Sequence, residues 1–330
     1  TYFNWRWTFF INVPVGLAGL IAVTVFIEDF REAPKGAFDL GGLIVMGLAL
    51  TFGMFGLETA GRGLVAPAVT EAMIAASVAM GFVYYLHARH VAAPLLDFTL
   101  MRLPCFGLSF SGMMLFRTGI GAIPFLLPLM LQVGFGNSAV QSGLITFASS
   151  AGALVMKPAA QHALRLFGFR DTLIWNGVLS GIMLTLCALF RPTWPAAAIY
   201  LVLLVGGFLR SLQFTAFNTL AYGDVPRGQM SAATSLYTAG QQLAATIGVS
   251  VGALALEVAR TLSHHQTAKA SDFSAAFVVV GLLTLAAVPV GYLMPATAGD
   301  DLTGRHTPGP RRPEPAPAAP KPVSVPRAGE

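Results

Sequence analysis

Charged residues are scarce in this sequence. Only 11% of its 330 residues are Asp, Glu, Lys or Arg, whereas 55% are hydrophobic and the mean hydropathy is +0.68. A soluble globular domain carries about 25% charged residues. The few charges also cluster between long apolar runs. The sequence therefore predicts an all-α integral membrane protein with several membrane-spanning helices.

Several chemistries lack the residues that they need. Cys105 and Cys187 are the two cysteines of the sequence, too few for a disulfide framework. No Lys follows a Gly, which excludes a GxxxxGK phosphate-binding loop and ATP hydrolysis by that route. The paired histidines, such as His264 and His265, have no third ligand nearby, so a solvated loop is favoured over a metal site. No nucleophile and base stand at a useful spacing, so we expect neither an enzyme nor a cofactor.

Nine apolar runs are long enough to cross a bilayer. Each has about 17–29 residues, and a hydrocarbon core of about 30 Å needs about 20 in a helix. The predicted spans are 8–27, 40–57, 67–87, 106–132, 139–160, 171–190, 196–222, 230–258 and 274–294.

Lys and Arg are distributed unevenly between alternate loops. With the first residues outside, the inner loops hold eight of these cations and the outer loops hold five. Five more lie in the Pro-rich tail 296–330, which is predicted to be disordered and cytoplasmic. The positive-inside rule therefore places the C-terminus in the cytoplasm. It also explains the net charge of +5 better than nucleic-acid binding does.

A polar face within one predicted span is the main functional signal. Arg210, Gln213 and Asn218 recur at helical spacing, so they share one face of span 196–222. A guanidinium at mid-membrane costs about 2.5–3.5 kcal/mol even on lenient scales. The face is therefore predicted to line a wet cavity, as a transporter requires. A purely structural buried pair is the alternative.

Two other spans carry polar side chains at depth. Arg117 lies near the middle of span 106–132, and it either lines the same cavity or has a structural partner. Tyr237 and Gln241 share a face of span 230–258 and are both candidate cavity residues, with Gln241 the better candidate for a substrate contact. A stripe of small residues on that span predicts close packing or hinge positions at Gly240, Gly248 and Gly252.

A stretch near the start of the sequence matches a known family signature. Residues 5–16 read Trp-Arg-Trp-Thr-Phe-Phe-Ile-Asn-Val-Pro-Val-Gly. They resemble the WRWxFxINxPxG stretch of the fourteen-helix drug:proton antiporters of the major facilitator superfamily. Further motifs follow in the order of that family, at residues 38–41, 94–98, 134–143 and 210–252. The resemblance covers about residues 5–295.

The resemblance implies a domain organisation. The expected parts are 1–27 as the last helix of an N-terminal bundle, 28–105 as two linking helices with a connector, and 106–295 as the C-terminal six-helix bundle. In the family, further helices precede the first of these, so the sequence is expected to begin in mid-protein. Arg165, Gly168 and Arg170 resemble a degenerate copy of the family's cytoplasmic loop motif.

The resemblance also implies a function. The family exports drugs or other small amphipathic molecules in exchange for protons, by alternating access. The expected partners are the lipid bilayer of the cell (inner) membrane, a small-molecule substrate and protons. Two arginines without a mid-span acid leave export of an organic anion or metabolite as one alternative. A non-transporting membrane remnant or scaffold is another, because the family's proton-coupling acids lie on helices that would precede Thr1.

Overall fold

Helices make up the regular structure of the chain. A computed structural model describes residues 6–26, 39–60, 65–91, 94–295 and 298–299, and within these ranges there is no strand. Eight of the described helices are long and apolar enough to cross a membrane. The predicted all-α membrane fold is thereby confirmed. The main helices are α1 (Asn12–Phe26), α2 (Leu40–Thr59), α3 (Pro67–Ala88), α4 (Pro104–Gly134), α5 (Ala139–Phe167), α6 (Phe169–Leu189), α7 (Ala196–Ala221), α8 (Arg227–Leu262) and α9 (Ala270–Leu293).

The observed helices follow the predicted spans closely, with two differences. The first predicted span is a short turn, Trp7–Phe10, followed by the 15-residue α1, in which every described side chain is exposed. Helix α5 continues to Phe167 rather than ending at 160, and it passes through Pro158. A proline removes one backbone hydrogen bond, a loss that neighbouring helices can compensate within a membrane bundle.

Helices α4 to α9 form one bundle. Helix α5 packs along α7, while α4 contacts α7, α8 and α9, and α6 packs against α9. The centre is filled by fully buried rings, including those of Phe116, Phe217, Phe273 and Phe277. Lipid is as apolar as these side chains, so close backbone approach at small residues stabilises the bundle more than hydrophobic burial does.

The closest backbone approach joins α5 and α7. A Cβ added at Gly152 would overlap the carbonyl oxygen of Leu204, and a Cβ added at Gly207 would overlap that of Ser149. Only glycine therefore fits at either crossing point. This contact sets the separation of the two helices.

Helices α2 and α3 form an antiparallel hairpin beside the bundle. The Ser77 hydroxyl donates to the Ala49 carbonyl at 2.7 Å, and the hydroxyls of Thr59 and Thr70 lie 3.2 Å apart. The Ser250 hydroxyl of α8 donates to the Leu57 carbonyl at 2.8 Å, which links the hairpin to the bundle.

The Asp39 carboxylate ties this hairpin to the connector that precedes α4. It accepts from the Gly42 amide at 2.8 Å and from the Leu95 amide at 3.4 Å, and it lies 2.8 Å from His87 Nε2. The hydrogen bond with His87 is the main cause that lowers the pKa of Asp39 below its ordinary value of 3.8. The Tyr84 hydroxyl adds a second tie, because it accepts from the Leu96 amide at 2.6 Å.

Most of the predicted disordered tail, 296–330, lies outside the described residues. The exceptions are Ala298 and Gly299. Ala298 is buried, and a Cβ added at Gly299 would overlap the Phe169 ring. At these two positions the chain packs against the bundle, which the prediction of disorder from 296 onward had missed.

The α5–α7 crossing generates a stability prediction. We expect Gly152→Ala to lower the stability of the protein by about 1–3 kcal/mol, because the new methyl group forces the helices apart. Gly143→Ala on the same helix is the control, since a Cβ there has open space. Thermal unfolding of the purified protein in detergent measures both. Equal melting temperatures for the two variants would contradict the packing described here.

The Asp39 site generates a pH prediction. Because the pKa of Asp39 is lower in the folded protein, its stabilising contribution is present above pH 3.8 and is lost as the pH falls through the folded pKa. We expect Asp39→Asn to cost about 1 kcal/mol at pH 7, because the amide can still cap the helix but loses the charged hydrogen bond with His87. The difference from wild type should shrink below pH 3.8. Glu71→Gln, at an exposed position on α3, is the control; a pH-independent difference for Asp39→Asn would exclude the carboxylate's role.

Candidate functional site

A cleft of about 390 Å³ opens between α4, α7 and α8. Two arginines and several apolar side chains line it, among them Arg117, Ile120, Pro124, Arg210, Phe214 and Val249. Arg117 and Arg210 each lie near the middle of a membrane-spanning helix. The structure thus brings together on one cleft the two mid-span arginines that the sequence singled out from different spans.

Arg117 is held by a backbone carbonyl and an aromatic ring. Its Nε donates to the carbonyl oxygen of Gln241 at 3.0 Å. Its guanidinium carbon lies 5.3 Å from the centroid of the Phe214 ring, which makes a cation–π contact. The Phe214 ring in turn meets Phe116 edge-on, at 5.4 Å between centroids. These contacts fix the guanidinium in the cleft while using one of its five N–H donors.

The Gln241 side chain joins α8 to α7. Its Nε2 donates to Asn218 Oδ1 at 3.1 Å, and both side chains are half-buried. The same residue therefore holds Arg117 through its carbonyl and Asn218 through its amide. Asn218, Gln241 and Arg117 form one connected polar network across three helices, which we call the polar network.

Arg210 faces both the cleft and a small cavity behind it. Its Nη2 donates to the Ser149 hydroxyl. The second cavity measures about 20 Å³ and is also lined by Ser180, Met183 and Cys187. A space of that size holds about one water molecule. Arg210 thus has a neutral partner on α5, and it also contributes to the cleft wall.

Gln213 was predicted to line the substrate cavity, but the structure places it elsewhere. Its side chain is 1% exposed and lies between α7 and α6. Its Nε2 donates to the Leu173 carbonyl at 3.0 Å, and its Oε1 accepts from Asn176 Nδ2 at 2.7 Å. The helical spacing put Gln213 near Arg210, but three residues of helix turn the side chain by about 300°, so the two face different neighbours. Gln213 therefore joins α7 to α6 and does not line the cavity.

Tyr237 was also predicted to line the substrate cavity, but its side chain is buried. It is 1% exposed, and its ring packs against Phe106, Phe110 and Tyr222. Its hydroxyl makes no hydrogen bond within the described residues. Tyr237 shares the helix face of Gln241, as the spacing predicts, but it lies one turn nearer the helix start, inside an aromatic cluster.

The predicted packing glycines lie along the interface of α8 with α4. A Cβ at Gly240 would meet the Phe110 ring, one at Gly248 would overlap the Thr118 carbonyl, and one at Gly252 would meet Ala122.

The predicted loop motif spans the junction of α5 and α6. Gly168 has φ +79°, a conformation that favours glycine, while Arg165 is exposed. Arg170 donates to the Tyr292 carbonyl at 3.3 Å.

The carboxylates near the bundle lie at helix ends and have local partners. Asp224 accepts from the backbone amides of Cys105, at 2.7 Å, and Phe106, at 3.2 Å, and so caps the start of α4. Glu257 pairs with Arg260. Asp272 lies 2.9 Å from His265 Nδ1, so this loop histidine has a carboxylate partner. Among the residues that the structure describes, no group of three or more His, Cys, Asp or Glu could hold a metal ion.

Sequence reasoning missed three contributors to this region. Ser149 binds Arg210, Asn176 binds Gln213, and Asp224 caps α4 rather than standing alone. The signal for the first two was present, since polar side chains within apolar spans need partners. Identifying each partner required the packing of the helices.

The reassignment of Gln213 generates a prediction. We expect Gln213→Ala to lower the stability by about 1–3 kcal/mol, because it leaves the Asn176 amide and the Leu173 carbonyl short of a partner. Gln242→Ala is the matched control, since that side chain is exposed on α8. Thermal unfolding separates the two, and an unchanged melting temperature for Gln213→Ala would return that residue to the list of cavity candidates.

Comparison with known proteins places the chain in a family. The family model described as Major Facilitator Superfamily matches residues 109–328. The chain is 32% identical over 272 residues to a protein of Serratia proteamaculans named "Putative multidrug resistance protein MdtD", a match that covers 80% of this chain and 55% of the relative. A protein of the same name from Escherichia coli strain SE11 is 31% identical over 259 residues, covering 77% of this chain and 54% of the relative.

The chain spans about half the length of the curated relatives that it matches. By the extent of the family match and the identity to these relatives, the chain belongs to the Major Facilitator Superfamily.

Proposed function

We propose that this chain is part of a secondary active exporter of drugs or other small amphipathic molecules. Protons moving inward would drive export, and the helices would rock between inward-open and outward-open states around the cleft. The protein would lie in the cell (inner) membrane with its C-terminus in the cytoplasm, as the distribution of Lys and Arg indicates. Its partners would be the bilayer, a small-molecule substrate and protons.

The observation that carries this proposal is the polar network that begins at the cleft wall. Arg117 lines the cleft and is connected through Gln241 to Asn218, so the network links α4, α8 and α7. Its side chains are half-buried, whereas Gln213 is sealed between helices. A mainly apolar cleft with a few convergent polar groups is the usual form of a small-molecule site. The family membership and the names of the relatives support a transport role.

Proton coupling requires a carboxylate or histidine that can change its charge within the membrane. The described carboxylates of the bundle are placed at helix ends, where Asp224 caps α4 and Glu257 pairs with Arg260. The proposal therefore assigns the coupling acid to a part of the transporter outside helices α4 to α9. In this scheme the bundle described here supplies substrate contacts and the moving wall of the cleft.

The Gln241 side chain provides a test of the site. The protein, expressed from its natural reading frame, is reconstituted in proteoliposomes with an imposed pH gradient, and the movement of cationic, anionic and neutral dyes is followed. We expect Gln241→Ala to slow gradient-driven movement about tenfold, because losing one polar contact costs about 1–1.5 kcal/mol. Gln242→Ala, one residue along the same helix and exposed, should move dye at the wild-type rate.

The outcomes separate the alternatives. Collapse of the pH gradient should stop movement if protons drive it. A wild-type protein that moves no dye of the panel, while remaining folded, would refute the transporter proposal and favour a non-transporting membrane scaffold. Equal rates for Gln241→Ala and Gln242→Ala would leave transport intact and remove the polar network from the substrate site.

A further inference from the structure

The cleft carries positive charge without a matching negative charge. Arg117 and Arg210 both line it, and no Asp or Glu is among its lining residues in the described part of the chain. The nearest acids along the chain have other partners at helix ends, as Asp224 and Glu257 show. Two guanidiniums at mid-depth therefore face one space with no protein counter-charge from the described helices.

Neutral partners accept hydrogen bonds from only some of the N–H donors of each guanidinium. Arg117 donates from Nε to the Gln241 carbonyl, and its two terminal amino groups make no hydrogen bond within the described residues. Arg210 donates from Nη2 to the neutral Ser149 hydroxyl. Both groups keep N–H donors in the planar arrangement that suits two oxygen atoms of one acid group. A charge at this depth is stabilised most by a bound anion, because neutral dipoles do not cancel it.

The rest of the cleft wall is mainly apolar and favours a ligand with an apolar skeleton. Ile120, Pro124, Val249 and the face of Phe214 surround the arginines. A ligand that fits would place an acid group at the guanidiniums and an aromatic or aliphatic skeleton against these side chains. Lipid headgroups do not reach this depth, since the middle of a bilayer lies about 15 Å from either headgroup layer.

We propose that the substrates of this cleft are amphipathic organic anions, each with a net negative charge and at least one carboxylate, sulfonate or phosphate group on an apolar skeleton. The inference rests on the proposed function and names its substrate class. Arg117 is the main anchor, and Arg210 adds a second positive charge. Gln241 is a positioning residue, because its backbone carbonyl accepts the hydrogen bond from Arg117, and Asn218 supports it by accepting from the Gln241 side chain. A permanent cation is disfavoured, since it would meet two like charges in a medium of low dielectric constant.

The test compares two dyes with the same xanthene skeleton and opposite net charge. Sulforhodamine B is an anion and rhodamine 6G is a cation. Proteoliposomes with an imposed pH gradient are loaded with either dye, and initial rates are measured for wild type, Arg117→Gln, Arg117→Lys and Arg210→Gln. Arg102→Gln is the control, because Arg102 is exposed in the connector outside the cleft. Thermal unfolding establishes that each variant is folded.

The expected result is movement of sulforhodamine B by wild type and by Arg102→Gln. Arg117→Gln should raise the KM for this dye at least tenfold, the loss that one charged hydrogen-bonding partner causes. Arg117→Lys should keep part of the affinity, because it retains the charge and loses the planar pair of donors. Arg210→Gln should show a smaller increase in KM.

Three results would overturn the inference. If wild type moves rhodamine 6G and not sulforhodamine B, the exporter proposal survives and the substrate class is wrong. If both arginine variants lose movement of the two dyes equally, the guanidiniums pair with a carboxylate of the transporter rather than with substrate. If neither dye nor any other probe moves, the proposed function fails and the inference fails with it. The first comparison needs no variant, so a misfolded arginine mutant cannot hide the answer.

Discussion

The contact between α5 and α7 at Gly152 and Gly207 is the constraint on which the site depends. The two backbones approach so closely that a single Cβ would overlap a carbonyl oxygen of the opposite helix. The carbonyl beside Gly207 belongs to Ser149, whose hydroxyl accepts the hydrogen bond from Arg210. Glycine at the crossing thus brings a hydroxyl within reach of a charge that would otherwise face hydrocarbon. The tolerance of the bundle for a mid-membrane arginine depends on two residues that have no side chain.

The same logic distinguishes the polar residues of α7. Gln213 lies where α6 and α7 meet, and its amide is fully used by Asn176 and the Leu173 carbonyl. Asn218 lies less than two turns further along the same helix, but its side chain is half-buried and binds Gln241 of α8. A sealed amide binds two helices together, while a half-buried amide can exchange partners. This difference in surroundings, and not the residue type, separates the sealed polar side chains of the bundle from the accessible ones.

The sequence was sufficient for much of the fold. Apolar runs located helices α2 to α9 to within a few residues at most ends, because a bilayer demands a minimum length of unbroken helix. The prediction was weaker at the end of α5, which was placed at residue 160, whereas the helix continues through Pro158 to Phe167. For the site, helical spacing grouped Arg210 with Gln213 on one face of α7. Because α7 packs against several helices, Arg210 contacts α5 while Gln213 contacts α6. Arg117 and Gln241, whose backbone carbonyl it binds, are 124 positions apart in the sequence. The periodicity of a single helix cannot predict such a contact.

The Asp224 cap gives the bundle a mechanical property. Its carboxylate follows α7 and binds the first amides of α4, so the helices that carry Arg210 and Arg117 are joined at one end. Such a joint resists sliding or spreading of α4 relative to α7. The cleft is then expected to change shape mainly because α4 and α7 tilt relative to each other about that joint. The separation of α4 and α7 would vary least near the joint and most at the opposite membrane surface. A molecule leaving the cleft would therefore meet its widest opening there.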